Sequence, residues 1–123
     1  MRYQEFTIKQ GDLRPALVAT CKDADGKLVN ITDATKVVFR MKKRGDTKLK
    51  VDSSDTRDAM IQQPIEGEED FKHKIQYLWQ EGDTDEAGKF EAEFELTFSD
   101  GLQTIPNGEP FIVNVVKDTI KNG

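Results

Sequence analysis

The chain has 123 residues and a net charge of -5 at pH 7, with 33% of its residues charged and 36% hydrophobic. That length suits one domain whose hydrophobic core stands without metal or disulfide staples. The acidic balance excludes general nucleic-acid affinity, the single cysteine excludes an intrachain disulfide, and no run approaches the roughly 18 apolar residues of a membrane span.

Short alternating stretches follow one another between turns. "YQEFTIK" (residues 3–9) puts Phe6 and Ile8 on one side. After "QGD" and Pro15, "ALVATCK" sets Leu17, Ala19 and Cys21 on one face, which makes Cys21 a buried free thiol. "DADG" (residues 23–26) is a turn by its residue chemistry. "KVVFRMK" points Val37, Phe39 and Met41 inward and Val38, Arg40 and Lys42 outward, and "KRGDTK" turns the chain. Residues 51–70 are polar and contain Pro64, with short strands expected around residues 49–51 and 59–61. "TRDAMIQQ" is too short, and lacks too much of an apolar face, to make a convincing helix. "HKIQYLW" groups Ile75, Tyr77 and Trp79, so Trp79 is expected in the core. "FEAEFELTF" is the most regular stretch, with Phe90, Ala92, Phe94, Leu96 and Phe98 on one face and Glu91, Glu93, Glu95 and Thr97 on the other. "SDG", "LQTI", "PNGEP" and "FIVNVV" complete the pattern. About eight short strands between Gly, Asp, Asn and Pro turns predict an all-β sandwich or barrel. One domain over residues 1–117 is expected, with a C-terminal tail at 118–123.

Charge is unevenly spread. Residues 1–50 hold 12 basic and 6 acidic side chains, and residues 51–123 hold 6 and 17. Two faces of opposite sign would favour head-to-tail association or a charged partner. Alternatively, the strands interleave in space and the charges mix. The basic hairpin (Arg40, Lys42, Lys43, Arg44, Lys48, Lys50) and the acidic stripe (Glu91, Glu93, Glu95) are the candidate interaction surfaces. A solvated face and protection of a sheet edge are the plainer uses of such charge.

The acidic stretch before that stripe has a familiar form. "DEAGKFEA" resembles the corner that leads into strand F of immunoglobulin folds, with Phe90 where the corner tyrosine stands and Ala92 where the cysteine stands. Asp85 and Gly88 would then act through turn geometry. More widely, "FTIKQGD", "PALVATCKDADGKLVNITDATKVVFRMK" and "YLWQEGDTDEAGKFEAEFELTFSDGLQTIPN" resemble, in order and spacing from Phe6 to Val116, the N-terminal domain of phage baseplate upper proteins. Cys21 and Phe90 depart from the leucine and tyrosine of that pattern. The resemblance implies an immunoglobulin-like antiparallel β-sandwich of about seven to nine short strands. It also implies a non-enzymatic structural role in a phage or prophage tail, in the virion, after synthesis in the bacterial host cytoplasm. Other baseplate and tail proteins would be the partners, with a homo-oligomer in the assembled particle, and neither membrane nor nucleic acid is expected. Family members usually continue into a linker and a distal part; here the last residue is Gly123.

Side chains that suggest chemistry have ordinary readings. "DADG" and "DTDE" group carboxylates as calcium loops do, but the twelfth position counted from Asp23 is Ala34, not a bidentate acid. No metal or other cofactor is therefore expected. "RGD" (Arg44 to Asp46) reads as a hairpin turn. His73 is the only histidine, and no serine lies in a nucleophile-elbow setting, so no enzyme is expected. The alternative function is a carbohydrate-binding module on the same sandwich, contributing to host-surface recognition. It would need exposed aromatic rings, for which Tyr3, Tyr77 and Trp79 are the candidates beyond the phenylalanines.

Overall fold

The computed structural model describes residues 5–53, 73–106 and 110–120. Tyr3, the expected strand at 59–61 and the "TRDAMIQQ" segment lie outside the described residues. Eight strands are present and no helix is found among the described residues: β1 (Glu5–Lys9), β2 (Leu17–Thr20), β3 (Lys36–Lys43), β4 (Leu49–Ser53), β5 (Lys74–Tyr77), β6 (Gly88–Phe98), β7 (Gly101–Ile105) and β8 (Phe111–Val116). The all-β expectation holds. Most strands follow from period-two alternation, β6 most clearly, whereas β7 (GLQTI) does not alternate and β8 (FIVNVV) is a nearly continuous apolar run.

One sheet runs β1-β8-β6-β3-β4, with β7 also paired to β6; the second is β2-β5. The sheets form the two layers of a sandwich. Between them lie Val37, Phe39 and Met41 of β3, Phe90, Ala92, Phe94 and Leu96 of β6, and Leu17, Ala19, Ile75 and Tyr77 of the small sheet. Phe39 stacks on Tyr77 across the layers, with ring centroids 4.1 Å apart and an interplanar angle of 15°. Trp79, just past β5, is 4% exposed and meets Phe6, Phe39 and Tyr77.

Several expectations are corrected by the structure. The main sheet is mixed rather than antiparallel, because β1 pairs with β8 in parallel, Glu5 opposite Ile112 through Lys9 opposite Val116. Strands so far apart in sequence need no hairpin between them, so nothing forces them antiparallel. Val38, on the outward side of β3 opposite Glu95, is nonetheless only 6% exposed. Its neighbours on that face, Arg40 and Glu95, are joined by a hydrogen bond of 3.3 Å, and long charged side chains can cover an apolar neighbour with their stems. Asp118, where the expected tail begins, has its side chain 1% exposed, and its N–H donates to Gln10 Oε1 at 3.3 Å.

The "DADG" turn closes as its residues predict. Asp23 Oδ1 accepts from the N–H groups of Asp25 and Lys27, both at 2.9 Å, and Gly26 supplies the positive φ of +81°.

Candidate interaction face

The outer face of the main sheet is built by two neighbouring strands. Antiparallel register sets Lys36 opposite Thr97, Val38 opposite Glu95, Arg40 opposite Glu93 and Lys42 opposite Glu91. The basic column of β3 and the acidic column of β6 thus stand side by side, at the usual strand spacing of about 4.8 Å. The sequence treats them as two surfaces; the structure makes them one, and the interleaved arrangement of charge is the one observed.

Ion pairs follow from that register. Arg40 reaches Glu95 (3.3 Å) and Asp52 (3.6 Å), and Arg44 reaches Glu91 (3.6 Å). Lys43 holds Glu86 at 2.8 Å, and Lys50 holds Asp85. With side chains 32% and 30% exposed, the Arg40–Glu95 pair contributes on the order of 0.2–1 kcal/mol. The hydrogen bond between Lys43 and Glu86 raises the lysine pKa above its usual value and lowers that of the glutamate. Lys42, Lys48 and Glu93 form no ion pair among the described residues.

A groove of about 430 Å³ crosses this face. Lys42, Glu91 and Glu93 line it with Leu49 and Pro110, and no aromatic ring among the described residues takes part. The Arg44–Asp46 tripeptide turns beside it: Arg44 N–H donates to Lys89 O (2.9 Å), Asp46 N–H to Lys43 O (2.9 Å), and Gly45 has φ +91°.

The acidic corner before β6 is a junction. Asp83 Oδ2 accepts from the Tyr77 hydroxyl (2.6 Å) and from the Gln80 N–H (2.9 Å). Thr84, 1% exposed, donates through its hydroxyl to Asp12 O (2.8 Å) and accepts at its carbonyl from Gly11 N–H (2.9 Å). Gln10 Nε2 donates to Asp85 O (2.8 Å). Asp83 and Asp85, grouped by sequence with calcium-loop patterns, are engaged in these turn and ion-pair contacts. Phe90 fills the inner face with no exposed surface, and Gly88 starts β6 with φ +149°. Sequence reading missed Gln10, Thr84 and Asp118, because their partners are 75, 72 and 108 residues away and no local pattern marks them. The Asp83 contacts, three residues back to Gln80 and six back to Tyr77, lay within reach of a local reading.

Elsewhere, His73 Nδ1 donates to Val29 O at 2.9 Å. Cys21 is fully buried, and burial pushes its thiol up to about 12. No cluster of His, Cys, Asp and Glu among the described residues has the arrangement of a metal site. Comparison with protein-family models, with curated proteins and with solved structures finds no match.

Proposed function

We propose that this chain is a non-enzymatic structural module of a phage or prophage tail, an immunoglobulin-like sandwich that joins a baseplate or tail tip through protein–protein contacts. The observation that carries the reading is the in-register resemblance from Phe6 to Val116. The strand order supports its immunoglobulin-like part, since β1-β8-β6-β3-β4 faces β2-β5 and the first strand runs parallel to the last. A rigid sandwich with a broad charged face suits a module whose work is to present surfaces rather than to react. The sugar-binding reading draws no support from Tyr77 and Trp79, which are 1% and 4% exposed and offer no face for stacking.

The test is localisation. Tail particles purified from a producing host, probed with an antibody to this chain, are expected to carry it at a fixed ratio to the other tail proteins. Particles that form and infect normally after deletion of its gene, with no trace of the chain in them, would sink the proposal.

A further inference from the structure

We propose that the outer face of the main sheet is a self-association surface on which two copies of this chain pack about a twofold axis parallel to β3 and β6. The inference rests on reading that charged face as an assembly surface and names the occupant. Charge complementarity carries it. β3 presents Lys36, Arg40 and Lys42, and the adjacent β6 presents Glu91, Glu93 and Glu95 in register. A twofold axis between the two strands lays the basic column of each copy over the acidic column of the other. Lys42 then faces Glu91 of the second copy, and Arg40 faces its Glu93. The pattern is complementary to itself, as an isologous contact requires.

Two further features fit that packing. Within one chain the ion pairs leave Lys42 and Glu93 without an ionic partner among the described residues, although both line the groove. A second copy supplies a partner to each, twice over. Leu49, 46% exposed, borders the groove on the β4 side, and Pro110 borders it beside β8. The same axis carries Leu49 of one copy to the Pro110 side of the other, giving apolar flanks to a charged centre. Since the intrachain pairs already satisfy much of the charge, the association is weak, and electrostatics sets its orientation more than its strength.

Sedimentation velocity of the whole chain from about 10 μM to about 1 mM, at low and high salt, reads the association in the range expected of a small contact. The expected result is a monomer–dimer equilibrium that weakens with salt. Lys42→Glu and Glu93→Lys should each weaken it by about tenfold or more, each mutated site meeting like charge twice in the dimer. An equimolar mixture of the two variants should associate no better than either alone, because position 42 of one copy still faces Glu91 and position 93 of the other still faces Arg40. Neither variant disturbs an observed ion pair, and unchanged melting temperatures verify that both fold. A wild type monomeric throughout, or a dimer indifferent to both reversals, overturns the proposal. A monomeric wild type whose incorporation into tails is lost with Lys42→Glu overturns self-association alone and points to a different protein partner. A chain that dimerises as expected but is absent from tails overturns the tail reading alone.

Discussion

Trp79 carries its indole into the core with Nε1 donating to nothing among the described residues, while three aromatic rings surround it. Truncating it removes those contacts and leaves a large void, so Trp79→Ala is expected to cost about 3–5 kcal/mol in urea unfolding. Trp79→Phe should cost much less, because it also removes a buried donor whose desolvation goes uncompensated. Equal losses for the two variants would show that the indole nitrogen has a partner after all. Cys21 acts by a different property, its neutrality. Its folded pKa of about 12 lies above the ordinary 9.0, so the stability it contributes is whole below pH 9.0 and is lost as pH rises toward 12. Native protein at pH 8 should resist thiol reagents that label the unfolded chain at once, and Cys21→Ala should flatten the loss of stability above pH 9.0. Rapid labelling of native protein would contradict its burial. Both residues could be assigned to the core from sequence, since alternation alone puts Trp79 with Tyr77 and Cys21 with Ala19. The unpaired indole nitrogen could not, because hydrogen-bond satisfaction depends on what other strands bring near.

At the scale of elements, β6 is the spine of the sheet, pairing with β3 on one side and with β7 and β8 on the other. Both of its faces were legible, because nine of its 11 residues alternate without error and a strand's side chains alternate by geometry. Its neighbours were not. Register between distant strands is a property of the folded ensemble of contacts, and no local signal reports that Lys42 sits opposite Glu91 or that β1 runs parallel to β8. β7 and β8 lie one after the other along the same side of β6, with Ile105 opposite Phe94 and Phe111 opposite Ala92. The proline and glycine of "PNGEP" announced the break but not that the same edge resumes after it. Where β6 begins, Gly88 is required by its backbone: φ is +149°, and a Cβ there would lie 3.0 Å from Cε of Lys43. Gly88→Ala should therefore destabilise by about 1–3 kcal/mol and displace Lys43 from Glu86. Adding Lys43→Ala should recover only the steric part. Full recovery in the double variant would mean that the backbone conformation itself costs little.

For the molecule as a whole, charge knits the chain together before it offers anything to a partner. Arg40, Lys43, Arg44 and Lys50 of the basic hairpin are paired with carboxylates brought in from β4, β6 and the corner ahead of β6. Reversing all four signs is consequently expected to lower the melting temperature, by less in high salt, whereas Lys42→Glu and Lys48→Glu should leave it unchanged. A fourfold reversal as stable as the parent chain would show that these pairs contribute nothing. The Lys43–Glu86 pair has its own pH window: with the glutamate pKa lowered and the lysine raised, its contribution is present above 4.5 and below 10.5 and fades outside those limits. The uneven split of charge along the chain was plain in the sequence, but its meaning depended on which strands became neighbours. That topology has a mechanical side. Because the first described strand lies parallel to the last, the free end of β1 and the free end of β8 point out of opposite ends of the sandwich. Tension on the two ends loads the hydrogen bonds of that ladder together, in shear, instead of unzipping them one by one. Pulled in a force spectrometer, the chain should hold and then yield in a single abrupt step, and Gln10→Pro, which deletes the N–H that donates to Val116 O (2.8 Å) at the end of the ladder, should lower the yield force. Gradual extension without a rupture peak would mean that the load is carried elsewhere.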